Sequence, residues 1–137
     1  MSGARPVILF LCVHNAGRSQ MAAAFTRRLG GDRVTVLTGG SAPAEGIHPE
    51  VAAAMREVGV DLEGVKPRRF AGSDIREADV VVTMGCKEAC PVFPGKRYEE
   101  WKVVDPAGEP PARVRAVRDA IQDQVADLLI SLGIPVK

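Results

Sequence analysis

Cys12, Arg18 and Ser19 are the residues whose types and spacing suggest chemistry first. Cys12 closes an apolar run, Val7-Ile-Leu-Phe-Leu. Five residues follow, Val13-His-Asn-Ala-Gly17, then Arg18 and Ser19, and then the alanine-rich helical pattern of Met21–Phe25. This reads as a buried strand, a tight loop and a helix N-terminus, with a thiol at the strand end. Backbone N–H groups at a helix start bind anions, and a compact loop adds a nest of further amides. The same dipoles, with an arginine nearby, favour the thiolate of a cysteine. The expected chemistry is attack by Cys12 on a tetrahedral oxyanion held by Val13, His14, Asn15, Ala16, Gly17, Arg18 and Ser19. Arg18 stands where the helix dipole disfavours a cation, which suggests a compensating anion, and its planar fork suits two oxygens of a phosphate-like group. Ser19 could cap the helix or donate to the Cys12 thiolate.

Simpler accounts compete with these. A cysteine at a strand end can be no more than a small hydrophobe, with His14, Asn15 and Gly17 making a turn. The loop is not a nucleotide P-loop, because it lacks the Gly-Lys-Ser/Thr ending, and with Gly17 alone it is no dinucleotide fingerprint. Asp105 precedes Pro106, an ordinary turn signal; its functional alternative is a general acid protonating the departing oxygen. Cys86 and Cys90 are separated by Lys87-Glu88-Ala89, which is not the two-residue spacing of zinc ribbons or thioredoxin-like motifs. Zinc would also need Cys12, His14 or His48, and no metal site is expected. A thiol pair that can reach an oxidised Cys12 and resolve it fits better. His14 reads as an orienting or lining residue, His48 as a surface or capping residue, Trp101 as core, and Lys66, Arg68 and Arg69 as a solvated edge.

These residues need elements to position them. Val7–Leu11 reads as a strand buried on both faces, the habit of a parallel sheet. A helix over Ser19–Leu29 is stopped by Gly30-Gly31. Arg33–Thr38 forms a second strand, and Gly39–Pro43 a loop. A second helix runs from Pro49 to Gly59 with Val51, Met55 and Val58 inward. A short capped helix covers Ser73–Glu77, and a third strand covers Asp79–Met84. Gly85–Lys96 reads as a long loop of the functional or mobile kind, followed by a fourth strand, Arg97–Val104, around Trp101. Pro110-Pro111 opens a last helix whose inward residues are Val114, Val117, Ile121, Val125, Leu128 and Leu132. Alternating strands and helices predict an α/β sandwich with a parallel sheet. Ligands of such sheets bind at the carboxyl ends of the strands, where Cys12, Cys86 and Asp105 can meet.

The 137 residues fit a single domain, 1–137, able to bury a core. With 18 basic and 17 acidic residues, neither a nucleic-acid partner nor an acidic tail is indicated. No stretch approaches the roughly 20 apolar residues of a membrane span. A signal-peptide reading of the first residues fails because His14, Asn15, Arg18, Ser19 and Gln20 interrupt it and cleavage would discard the cysteine loop. An odd count of three cysteines suits reactive thiols in a reducing cytosol better than a disulfide framework.

Cys12-x5-Arg18-Ser19 after an apolar strand, with Asp105-Pro106 far downstream, resembles the low-molecular-weight tyrosine phosphatase fold. The run Cys-Val-His-Asn-Ala-Gly-Arg-Ser-Gln-Met-Ala, the later Cys86 and Cys90-Pro91, and Trp101 before Asp105-Pro106-Ala107 resemble its thioredoxin-coupled arsenate reductase branch. The resemblance covers nearly the whole chain. It implies a three-layer sandwich with a central four-stranded parallel sheet flanked by helices. It also implies arsenate as substrate, with phosphate or sulfate as competing anions, and a cytoplasmic monomer with no bound cofactor that draws electrons from reduced thioredoxin. In this scheme Cys12 attacks arsenate held by the loop amides and Arg18, and Asp105 protonates the departing oxygen. Cys86 then attacks Cys12 and releases arsenite, and Cys90 attacks Cys86 to leave the disulfide that thioredoxin reduces. Well-known members place more residues between the second and third cysteines than the three found here. Some members bind potassium beside the loop through acidic side chains; the matching positions here are Ala23 and Arg69, so no such site is expected and Arg69 would stand in for the charge. The alternatives are a phosphatase using Cys12, Arg18 and Asp105, a non-enzymatic thiol sensor or metal-binding module, and a reductase supplied by a low-molecular-weight thiol with glutaredoxin-like help.

Overall fold

The structure, a computed structural model, describes residues 5–85 and 95–136. Cys86, Cys90 and most of the Gly85–Lys96 stretch therefore lie outside the described residues. In chain order the elements are β1 (Val7–Cys12), α1 (Arg18–Gly30), β2 (Thr35–Gly40), α2 (Pro49–Glu57), α3 (Gly72–Glu77), β3 (Val80–Met84), β4 (Arg97–Glu100) and α4 (Pro111–Ser131). The four strands form one parallel sheet in the order β2-β1-β3-β4. β1 is central, and the chain order reverses beside it. That crevice, at the carboxyl ends of β1 and β3, is the general ligand position of open α/β sheets.

Successive strand residues face opposite sides of a sheet, and the apolar run of β1 feeds both. Ile8, Phe10 and Cys12 lie on the larger face with Val80, Val82 and Met84, beneath α1, α2 and α4. Leu9 and Leu11 lie on the other face with Val81, Ile75 and Ala78, where α3 and Phe70 cover them. The layers are helix, sheet, helix, as the alternation of elements predicts. Trp101 is core, with its ring 5.8 Å from that of Phe10. The inward stripe of α4, from Val114 to Leu129, is buried.

Several boundaries differ from the sequence reading for physical reasons. Gly39 and Gly40 belong to β2 and not to a loop. A Cβ at Gly39 would lie 2.8 Å from the Phe70 Cα, and one at Gly40 would lie 2.5 Å from the Val13 carbonyl oxygen. The glycines therefore serve close approach within a strand. β4 ends at Glu100 and not at Val104, because β3 runs out: the Trp101 N–H takes the Thr83 carbonyl, and the Val103 carbonyl is taken by Arg18. α2 ends at Glu57, two residues before Gly59, whose φ of +84° turns the chain away. α3 begins at Gly72, and its N3 residue Asp74 reaches back to accept the Ala71 N–H at 2.7 Å.

Candidate active site

β1 delivers Cys12 to the sheet edge, aligned with Gly40 of β2 and Met84 of β3. The loop beyond it turns its carbonyls outward. The Cys12, Val13 and His14 oxygens accept the N–H groups of Ser41, Ala42 and Ala44, at 3.3, 2.8 and 2.9 Å. The Asn15 oxygen accepts from Gln20 Nε2 at 3.0 Å, Ala16 from His48 N at 3.1 Å, and Gly17 from Met21 N at 3.0 Å. A trans peptide places its N–H opposite its C=O. Six outward carbonyls from Cys12 to Gly17 therefore turn the next amides, from Val13 to Arg18, toward the inside of the loop. An inward ring of amides at a helix start is an oxyanion nest.

The thiol sits inside that ring, almost fully buried. Cys12 Sγ accepts the Asn15 N–H at 3.2 Å and lies 3.0 Å from Ser19 Oγ. The Arg68 N–H, which can only donate, reaches Asn15 Oδ1 at 2.9 Å. That fixes the Asn15 amide, so Nδ2 faces Ser19 Oγ at 2.7 Å and donates to it. A Cys12 thiolate has no hydrogen to give, so in that state the Ser19 hydroxyl is the donor across the 3.0 Å contact. Asn15 makes these bonds from a left-handed backbone, φ +52°, which asparagine tolerates better than most residues. The Asn15 N–H and the Ser19 hydroxyl thus hold the sulfur inside the amide ring. Ser19 lies inside α1 and does not cap it; the N-cap residue is Gly17, without a side-chain bond.

At the mouth, Arg18 Nη1 donates to the Val103 carbonyl at 3.1 Å, and Nη2 lies 3.8 Å from Asp105 Oδ2. The guanidinium also rests on Gly85: a Cβ there would lie 2.8 Å from Nη1. Asp105 Oδ1 accepts the Ala107 N–H at 3.0 Å, so one carboxylate oxygen holds its own turn while the other faces Arg18. Buried Pro106 lies beside the loop, its Cγ 3.4 Å from where a Gly17 Cβ would stand. Glu50 Oε2 accepts the Gly108 N–H at 2.6 Å, and that bond chiefly holds the Glu50 carboxyl below its ordinary value. His14 is exposed at the rim, edge-to-face with His48 at 6.2 Å.

The structure thus brings Cys12, Arg18, Ser19 and Asp105 together. Among the described residues no group of three His, Cys, Asp or Glu side chains could hold a metal. Three supporting residues escape a sequence reading. Buried Gln20 clamps both the Asn15 carbonyl and its Oδ1. Glu50 holds the Asp105 turn from 58 residues away. Arg68 is not simply part of a solvated edge: its backbone orients Asn15, while its guanidinium donates to the Thr38 carbonyl at 2.6 Å and to Asp74 at 3.1 Å. Arg69 makes an isolated backbone bridge to Gly40, the residue that packs on Val13 and Asn15 of the loop. A polar residue inside a helix start, next to the loop, was the one available signal, and it pointed to Gln20 only.

The arrangement can bind a tetrahedral oxyanion, present a sulfur nucleophile to it and offer a carboxyl to the opposite side. The family model described as low molecular weight phosphotyrosine protein phosphatase matches residues 7–136. A putative arsenate reductase of Halobacterium salinarum is 40% identical over 87% of each chain. The glutaredoxin arsenate reductase of a Synechocystis species is 30% identical over 92% of this chain and 98% of its own. The solved structure of a thioredoxin-dependent arsenate reductase from Corynebacterium glutamicum superposes with a TM-score of 0.84 at 36% identity. It covers 97% of this chain, which spans 64% of the Corynebacterium one. The chain belongs to the low molecular weight phosphotyrosine protein phosphatase family, in the branch that holds arsenate reductases.

Proposed function

We propose that this protein reduces arsenate to arsenite in the reducing cytosol, with Cys12, Cys86 and Cys90 as a thiol relay regenerated by thioredoxin. The observation that carries this reading is the contact of Arg18 with Gly85. The guanidinium of the oxyanion site rests on Gly85, the residue that precedes Cys86 in the sequence. A phosphatase has no use for Cys86 and Cys90. Nor do the described residues at the mouth offer an aromatic wall for a phosphotyrosine ring: His14, His48 and Pro106 stand there, Trp101 is buried on Phe10, and Tyr98 lies against the opposite face of the sheet.

In the proposed reaction arsenate occupies the amide ring with two oxygens on Arg18. Phosphate and sulfate, having the same shape, compete. Cys12 Sγ attacks arsenic, an As–O bond breaks, and Asp105 supplies the proton with which that oxygen leaves as water. Cys86 then attacks Cys12 Sγ. The S–As bond breaks with its electron pair remaining on arsenic, which becomes arsenite, and the two sulfurs are oxidised to a disulfide. Cys90 attacks Cys86 and frees Cys12 as thiolate. Thioredoxin takes over the Cys86–Cys90 disulfide and is itself oxidised. The single domain, as a monomer, suffices for every step before thioredoxin.

NADPH consumption with arsenate, thioredoxin and thioredoxin reductase tests the reading, run beside glutathione with glutaredoxin and beside hydrolysis of an aryl phosphate. The expected result is thioredoxin-dependent turnover that is lost in Cys12→Ser, Cys86→Ser and Cys90→Ser. Full turnover in Cys86→Ser overturns the relay. Turnover supported only by glutathione and glutaredoxin overturns the electron donor, and hydrolysis without reduction overturns the reaction.

A further inference from the structure

We infer that Glu50 is a positioning residue for Asp105, holding the turn that carries this carboxyl over the Cys12 loop. The inference rests on the reading of Asp105 as the acid. Asp105 is about half exposed and belongs to no helix or strand. Its bond to the Ala107 N–H and the Pro106 carbonyl's bond to the Glu109 N–H, at 3.1 Å, are internal to the turn. They shape it without placing it. Placement needs contacts from outside: Pro106 packs beside Gly17, Arg18 Nη2 lies 3.8 Å from Asp105 Oδ2, and Glu50 adds a charge-assisted bond by taking the Gly108 N–H at 2.6 Å. A carboxylate accepting a backbone N–H is a charge-assisted bond, stronger than a neutral one.

Glu50 is itself fixed to the loop. It lies in the first turn of α2, whose preceding residue His48 donates its N–H to the Ala16 carbonyl at 3.1 Å. The next residue, Val51, lies beside Gly17, with Cγ2 3.6 Å from where a Gly17 Cβ would stand. Glu50 thus ties the Asp105 turn to the same helix start that the oxyanion loop is tied to. The loop and the turn share one support, so the distance between Cys12 and Asp105 is set from a common point. A small misplacement of a proton donor lowers rates by large factors.

The test is the single-turnover rate of arsenite formation by the fully reduced protein, which needs no electron donor. Glu50→Ala is expected to lower the maximal rate about tenfold with the half-saturating arsenate concentration changed less than twofold. Glu50→Gln keeps an acceptor oxygen and is expected to stay within threefold of wild type. In an Asp105→Asn background, Glu50→Ala is expected to lower the rate less than twofold, because its effect passes through Asp105. Where Glu50→Ala fails to fold, Glu50→Asp, one methylene too short to reach Gly108, takes its place in the cycle. A slow Asp105→Asn with a wild-type Glu50→Ala overturns this inference alone, as does the same tenfold loss in both backgrounds. A wild-type rate in Asp105→Asn overturns the acid reading and this inference with it.

Discussion

Asn15 Nδ2 donates to Ser19 Oγ at 2.7 Å and so holds that oxygen 3.0 Å from Cys12 Sγ. A Cys12 thiolate can only accept, so across that contact the Ser19 hydroxyl donates to it. A hydrogen bond to a charged group contributes about 1.5–3 kcal/mol. Ser19→Ala is therefore expected to slow alkylation of Cys12 by iodoacetamide at neutral pH by about tenfold or more. Asn15→Gly keeps the left-handed backbone and deletes only the amide, so it should slow alkylation by a comparable factor. Because both act on one bond, the double variant should be no slower than the slower single. Additive losses would show that Asn15 acts on Cys12 by another route.

Arg68 works one step further out. Its N–H fixes the Asn15 amide, and its guanidinium pins its own segment to the Thr38 carbonyl and to Asp74. Arg68→Ala leaves the backbone N–H in place but frees the segment that aims it. Expected is a three- to fivefold slower alkylation, matching a loss of about 1 kcal/mol, and no further loss in an Asn15→Gly background. An Arg68→Ala protein alkylated at the wild-type rate would reduce the guanidinium bonds to scaffolding.

Arg18 is expected to resist replacement by lysine. Its fork reaches the Val103 carbonyl, faces Asp105 and lies flat on Gly85, contacts that a single ammonium cannot share. Removing one donor to a developing oxyanion typically lowers rates by about 100- to 1000-fold. Arg18→Lys should lose about 100-fold in the single-turnover rate of arsenite formation, while iodoacetamide, which needs no oxyanion site, should still alkylate Cys12.

Cys12, Arg18 and Ser19 were legible because their types are meaningful in one short stretch: a thiol, a cation against the helix dipole and a hydroxyl, all set by a strand and a helix start. The sheet was legible for a similar reason, since β1 and β3 are apolar on both faces and their order alternates with helices. Glu50 and Arg68 were not legible. Each reaches the site through a bond spanning more than fifty residues, the Glu50 carboxylate accepting from Gly108 and the Arg68 backbone N–H donating to Asn15, and a polar stretch gives no sign of so distant a partner. Gly39-Gly40 misled because the pair reads as a turn, when in β2 it makes room for Phe70 and for the Val13 carbonyl.

That close approach makes Gly40 a sensitive position. An alanine Cβ would stand 2.5 Å from a backbone oxygen of the loop, and also 3.1 Å from the backbone nitrogen and the Cβ of Asn15. Neither neighbour is the far end of a flexible side chain. Overpacking of this kind costs about 1–3 kcal/mol. Gly40→Ala should lower the urea midpoint accordingly and also weaken protection of the fold by phosphate, because the loop must shift to admit the methyl. A destabilised variant that phosphate still protects fully would place the strain elsewhere.

Glu57 sets the acid behaviour of the other end of α2. Its carboxylate takes Arg115 through Nε and Nη2, at 3.0 and 2.9 Å, and Arg118 Nη1 at 2.8 Å; that same Arg118 Nη1 also donates to the Ala54 carbonyl at 2.9 Å. Bonds from Arg115, then from Arg118, lower its pKa from the ordinary 4.5 to about 2. A folded pKa below the unfolded one gives stability that is present above pH 4.5 and lost as pH falls toward 2. Arg118 is buried on α4 and keeps its charge throughout, so protonating Glu57 leaves its guanidinium with Asp119 and the Ala54 carbonyl but without the carboxylate that ties it to α2. Urea midpoints measured from pH 6 to pH 2.5 should therefore fall below pH 4.5. Glu57→Gln should start lower at pH 6 and fall less steeply across that window, while remaining parallel to wild type above it. Identical slopes below pH 4.5 would assign the acid loss to carboxylates other than Glu57.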